Sequence, residues 1–190
     1  MKVLCILGSP RKNGNTATVL GWVERELRDL GHEIDHVDIN THRVNGCLEC
    51  YYCVRNPSDV PNCVQKDDAN ALFARVMSAE AILLASPLFF WSFSAQIRPL
   101  LDRFYCLVTG YGTPEHKSLI AGRRIALLMT GADAYADNAE FAVEIFRRIA
   151  KYVQCEIAGE LYVSQCTTPD ELGADVREQA ARLAGEIAAP

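Results

Sequence analysis

One stretch, Gly8-Ser9-Pro10-Arg11-Lys12-Asn13-Gly14-Asn15-Thr16, limits what this 190-residue chain can fold into more than any other. The run before it, Lys2-Val3-Leu4-Cys5-Ile6-Leu7, is apolar after its lysine and reads as a buried parallel strand. Ala17 to Leu30 follows it, with Leu20, Val23, Leu27 and Leu30 on one face of a helix. A strand, a polar turn and a helix start make an anion site, because the free N–H groups of the first helical turn point outward and the macrodipole favours negative charge. Ser9, Asn15 and Thr16 add hydroxyl and amide donors, and Arg11 and Lys12 add positive charge. Gly8 and Gly14 permit a tight turn and a close approach of the backbone.

The stretch is neither the Gly-x-Gly-x-x-Gly of a dinucleotide fold nor a loop ending in Gly-Lys-Ser/Thr. An ordinary strand-to-helix turn needs only one capping side chain, which Asn15 or Thr16 could supply. The surplus of donors and the two basic residues point instead to a phosphate monoester.

Four further strands are expected. Glu33 to Ile39 is the second, after Gly31 as the residue that ends the first helix. Ala81-Ile82-Leu83-Leu84-Ala85 is the third, ended by Ser86-Pro87; Arg124 to Thr130 is the fourth and Glu156 to Val163 the fifth. Helices are expected from Asp67 or Asp68 through Met77, from about Ala95 to Leu107, over Ala142 to Val153, and from Asp170 onward. Such alternation predicts an α/β fold, a doubly wound five-stranded parallel sheet of order 2-1-3-4-5. A ligand anchored after the first strand then lies at the switch point, with its far end near the close of the third.

One domain, 1–190, is expected, with an insertion at about 40–66 that holds two prolines and four of the eight cysteines. A formal charge of −5 argues against nucleic acid or an anionic membrane as partner. The apolar run at the start is too short for a span or an export signal, so the cytoplasm is the expected compartment. In that compartment eight cysteines imply free thiols, metal ligands or redox chemistry rather than a disulfide framework.

Gly-Ser-Pro-Arg-x-x-Gly-Asn-Thr resembles the phosphate loop of the flavodoxin-like NAD(P)H-dependent FMN reductases and the related iron–sulfur flavoproteins. The resemblance implies a flavodoxin-like sheet with an FMN phosphate on Ser9, Arg11, Asn13, Gly14, Asn15 and Thr16. It extends to Ser86-Pro87-Leu88-Phe89-Phe90-Trp91-Ser92, which is similar to the second flavin loop, and to the following helix with Arg98 and Asp102-Arg103. The isoalloxazine would therefore lie against Pro87, Leu88, Phe89, Phe90, Trp91 and Ser92, with Gly131 on the third loop opposite. The alternative is that these aromatics belong to the core. Many family members have tyrosine where Phe89 or Phe90 stands here, so no contact through a phenol is expected.

Cys47-Leu48-Glu49-Cys50-Tyr51-Tyr52-Cys53, with Cys63 after nine more residues, can wrap thiolates around a metal centre. The spacing resembles the motif by which iron–sulfur flavoproteins hold a [4Fe–4S] cluster near FMN, although the gap to Cys63 is longer than usual. Zinc, a local disulfide and bare thiols remain alternatives for Cys47, Cys50, Cys53 and Cys63.

The function expected from the resemblance is an FMN-dependent oxidoreductase. It takes reducing equivalents from NAD(P)H and passes them to a quinone, a flavin, a metal complex or a protein. No acid–base pair stands out in the chain, in keeping with chemistry carried by a cofactor. The rival is an electron-transfer module between protein partners such as ferredoxin. Relatives suggest a homodimer or homotetramer.

Overall fold

The computed structural model describes residues 1–189. In chain order its first elements are β1 (Lys2–Leu7), α1 (Asn15–Asp29), β2 (Glu33–Asp38), α2 (Tyr52–Arg55), α3 (Ala69–Ser78), β3 (Ala81–Pro87) and α4 (Arg98–Asp102). There follow β4 (Val108–Thr109), β5 (Lys117–Ser118), β6 (Arg124–Thr130), α5 (Glu140–Tyr152), β7 (Glu156–Val163) and α6 (Ala174–Ala188). The main sheet runs β2-β1-β3-β6-β7 with every pairing parallel, which is the expected 2-1-3-4-5 order. β4 and β5 stand apart as an antiparallel pair.

The central strands are apolar on both faces because helices cover both. Successive side chains alternate sides. Val3, Cys5 and Leu7 of β1, with Leu83 and Ala85 of β3, face α1 and α6, where Val19, Val23, Leu27, Ala180 and Leu183 meet them. Leu4 and Ile6, with Ile82 and Leu84, face the opposite layer of α3, α4 and α5, which contributes Phe73, Val76, Leu100 and Phe146. Each fully buried large side chain of this kind contributes about 1.5–3 kcal/mol relative to an exposed one. At its β7 edge the ladder slips between Ile125 and Ala126, an irregularity that blunts the edge.

Three sequence expectations need correction. The first helix starts at Asn15 rather than Ala17, so Asn15 and Thr16 belong to its first turn. The helix expected over Ala95 to Leu107 is α-helical only from Arg98 to Asp102, then continues as a 3₁₀ turn over Phe104–Leu107. Pro99 sits in its first turn, where the missing N–H costs nothing. The last helix starts at Ala174, because Asp170 lies in a separate 3₁₀ turn closed by a Thr168–Glu171 capping box. Gly31 does end the first helix, at φ +86°. The stretch Val108 to Gly122 contains the β4–β5 pair.

Candidate functional site

The loops after β1, β3 and β6 meet at the carboxyl edge of the sheet. The Gly8 N–H donates to the Ala85 carbonyl at 2.7 Å, and the Ser94 hydroxyl donates to the Gly8 carbonyl at 2.5 Å. Gly8 admits no side chain, since a Cβ there would press on Ile97 and the Ala85 oxygen. The Leu88 N–H donates to the Thr130 carbonyl at 2.8 Å, and the Thr16 and Thr130 hydroxyls share a buried bond of 2.7 Å. β1, β3 and β6 are thus stitched together at the place the switch-point rule names.

Within the first loop the expected donors divide by role. The Thr16 hydroxyl is occupied by Thr130, and the Ser9 hydroxyl is tied to the Arg11 backbone at 3.2 Å in both directions. The first intrahelical bond runs from the Thr18 N–H to the Gly14 carbonyl, so the N–H groups of Asn15, Thr16 and Ala17 lie ahead of the ladder. Gly14 itself has an extended backbone, φ −85° and ψ 177°, and serves as the helix N-cap without a side chain. Asn15 is 2 % exposed, and both its side-chain nitrogen and its oxygen are buried without a partner. Arg11, Lys12 and Asn13 are exposed, with an Arg11 guanidinium nitrogen 3.3 Å from the Thr167 carbonyl.

The second loop is a tight hairpin that the sequence does not advertise. The Phe89 and Ser92 backbones bond each other at 3.0 and 3.1 Å around Phe90 and Trp91, which have φ of +46° and +58°. Two positive φ values at a two-residue turn favour Asn-Gly, not two bulky aromatics. Each left-handed residue costs about 1–2 kcal/mol, and here the strain holds apolar rings in the open. Phe90 is 92 % exposed, and Phe89 and Trp91 are about half exposed. Phe93, grouped with them in the sequence, instead enters the core, while Pro87 is buried at the end of β3 and Leu88 and Ser92 are half-buried. Gly131, on the third loop, lies beneath Tyr162, whose hydroxyl a Cβ at Gly131 would strike. That hydroxyl donates to the Asp133 carbonyl at 2.8 Å and accepts from Asn138 at 2.9 Å, so Tyr162 sets the loop's path. No motif in the sequence pointed to Tyr162.

The cysteine loop stands over α4 and α5. Cys47 and Cys50 are exposed, Cys53 and Cys63 half-buried, and all are free thiols. All four line one cavity of about 30 Å³ together with Arg103 and Cys106. Among the described residues no three such groups stand close enough together to hold a metal ion, so the thiols share a cavity without a finished coordination site. Glu49 and Tyr51 adopt positive φ in the exposed part of the loop. The neck of the loop is held by one buried ion pair. Arg103 donates to both Asp67 carboxylate oxygens, at 2.6 and 2.9 Å, and to the Asn45 carbonyl at 3.3 Å, while Asp67 accepts the Asn45 N–H at 2.8 Å. The two side chains are 1 % and 0 % exposed. Burial works to raise the Asp67 carboxyl, but Arg103 and the Asn45 N–H outweigh it and hold the group below its ordinary value. Breaking such a pair by removing one partner costs about 3–5 kcal/mol. Cys106 is buried and burial pushes its thiol well up, as befits a core residue; burial likewise pushes Cys155 up to about 11.

A cavity of about 710 Å³ does not open on the phosphate loop. It lies between the cysteine loop, α4 and α5, walled by Leu101, Tyr105, Ile145, Ile149 and Tyr152, with Cys47 and Cys53 at one side. Its walls come from three separated segments, so no local motif in the sequence marks it.

A family model described as NADPH-dependent FMN reductase matches residues 1–178. The chain belongs to that family. As a member of the NADPH-dependent FMN reductases it is also similar to proteins named iron–sulfur flavoprotein. One from Archaeoglobus fulgidus is 37% identical over 103 residues, 54% of this chain and 45% of that protein. Another from Methanosarcina thermophila is 32% identical over 103 residues, 54% of this chain and 52% of that protein. The chain thus spans about half the length of the curated relatives it matches. The fold is that of an FMN-dependent NADH-azoreductase from Bacillus anthracis solved with FMN, at a TM-score of 0.74 and 11% identity over 99% of this chain and 100% of that one.

The phosphate loop fits the FMN that the family name implies. At the phosphate loop the test is Asn15, whose enclosed, unpartnered amide sits at a helix N-terminus beside two exposed cations. The cysteine loop sets four thiols on one cavity, with no carboxylate or imidazole in its lining.

Proposed function

We propose that this chain is an FMN-dependent oxidoreductase that draws reducing equivalents from NAD(P)H and passes them to a quinone, a free flavin, a metal complex or a protein acceptor. The observation that carries the reading is the buried, unpartnered Asn15 amide in a loop whose other hydroxyls are already spent. A buried amide left unpaired costs about 1–3 kcal/mol, so it is best explained by a ligand that completes it. FMN, when bound, supplies the electron chemistry. The chain's own part is binding and orientation. Asn15, the leading N–H groups of α1, and Arg11, Lys12 and Asn13 hold the phosphate; Ser9, Gly14 and Thr16 shape the loop around it. The Phe89–Ser92 hairpin, with Pro87 and Leu88, gives the ring an apolar wall and keeps water from it. Gly131 supplies backbone on the other side, at a position fixed by Tyr162.

Assembly into a homodimer or homotetramer would cover large apolar side chains that are exposed here, Phe90, Trp91 and Phe141. The reaction is tested by anaerobic mixing of FMN-loaded protein with NADPH. Stoichiometric loss of the oxidised-flavin band is expected, and an unchanged spectrum with FMN still bound would overturn the reading.

A second reading is favoured by the convergence of four thiols on one cavity. Here Cys47, Cys50, Cys53 and Cys63 hold a [4Fe–4S] cluster, and the chain relays electrons between proteins such as ferredoxin. The thin cavity requires the exposed loop carrying Cys47 and Cys50 to spread around such a group. Anaerobic reconstitution should then yield stoichiometric iron that Cys50→Ser abolishes. Iron retained by Cys50→Ser would remove the cluster from this loop.

A further inference from the structure

Arg103 does more than close the neck of the cysteine loop. Only one of its terminal nitrogens is used there, bonding Asp67 and the Asn45 carbonyl. Its Nε and its other terminal nitrogen are buried with no partner, on a side chain 1 % exposed. A guanidinium is a fixed fork of five N–H donors, and leaving several of them dry costs more than leaving a neutral group so. The same guanidinium lines the cavity that all four cysteines line, and the Cys63 thiol lies beside it. Within that cavity the remaining lining is sulfur, apolar or backbone, apart from tyrosine and Gln65 side chains. Asp67 already balances the arginine's charge, and the residue that carries the unspent donors borders a sulfur-lined space, with the Cys63 thiol beside its side chain.

We propose that Arg103 donates its two unspent groups to sulfur of the iron–sulfur centre held by Cys47, Cys50, Cys53 and Cys63, and so sets that centre's reduction potential. The inference rests on the cluster reading given above. Hydrogen bonds and positive charge at cluster sulfurs favour the more negative, reduced state and raise the potential. Arg103 acts through the sulfurs and is a positioning and tuning residue. Asp67 orients it, with one edge of the fork spent on the carboxylate and the other left free. The pairing also explains why an arginine stands here. A lysine could satisfy Asp67 as a point charge, but has no planar fork to serve two partners at once.

The test compares Arg103→Lys with Asp67→Asn, both reconstituted anaerobically as the full chain and titrated for iron and for cluster midpoint potential. Arg103→Lys keeps the charge and the partner for Asp67 but removes the fork; Asp67→Asn weakens the neck but keeps the fork and, in its amide oxygen, an acceptor that holds the fork in place. The expected result is wild-type iron in both, with a lower potential in Arg103→Lys and none of that fall in Asp67→Asn. Loss of iron from Arg103→Lys would make Arg103 part of the clamp and overturn the inference. Equal shifts in both variants, no shift in either, or loss of iron from both would reduce Arg103 to a clamp and overturn the inference. A wild-type chain that takes up no iron would overturn the cluster reading and this inference with it, whereas iron without a selective shift overturns this one alone.

Discussion

At the scale of single residues, the separation between spent and unspent polar groups tells most about function. Ser9, Thr16 and Asn15 look alike as donors in the sequence, yet only Asn15 keeps both polar atoms enclosed and free. Asn15→Ala should therefore weaken FMN binding about tenfold or more, the worth of one lost hydrogen bond to a charged group. The same change should leave the flavin-free chain equally stable or more stable, since an unpaired buried amide is removed. Parallel flavin titration and denaturant unfolding check both halves. A loss of stability with unchanged affinity would make Asn15 a structural residue. Thr16→Val, in contrast, should cost stability through the lost Thr130 bond, seen as a lower unfolding midpoint.

At the scale of elements, the Phe89–Ser92 hairpin and the β2 edge make separate predictions. Replacing Phe90-Trp91 by Asn-Gly puts turn-compatible residues at two left-handed positions and should stabilise the flavin-free chain by about 1–2 kcal/mol. It should also lower flavin affinity, because the apolar wall is gone. Unfolding and flavin titration of that variant distinguish a functional strain from an accidental one. On the other edge, His36 of β2 bonds Glu24 of α1 at 2.6 Å. The hydrogen bond to Glu24 raises the imidazole from its ordinary 6.5, against a smaller opposing effect of burial. A raised folded value means the pair stabilises the native state in full below about pH 6.5 and loses that contribution as pH climbs through the raised value. Unfolding midpoints of wild type and His36→Gln should therefore differ at pH 6 and converge toward pH 9. The imidazole is two-fifths exposed, so the difference is small.

At the scale of the whole molecule, the sheet order was legible because each central strand is a short apolar run and each helix an amphipathic one. The phosphate loop was legible because its chemistry is local, lying within nine consecutive residues. What escaped was assembled from distant segments. Phe93 could not be told from Phe90 by composition, since its burial depends on α4 and the opposite layer. The break after Asp102 is marked by no glycine or proline; there the chain turns with Arg103 against Asp67. Tyr162 beneath the third loop and the large cavity beside the cysteine loop likewise join residues remote in sequence. The central claim remains that the loop after β1 grips a phosphate monoester. It is tested most directly by the affinities of the flavin-free chain for FMN and for riboflavin, which differ only in that phosphate. Charge-assisted bonds of about 1.5–3 kcal/mol each, two or more of them, should make FMN bind at least about 100-fold more tightly. Equal affinities for the two flavins would contradict the assignment.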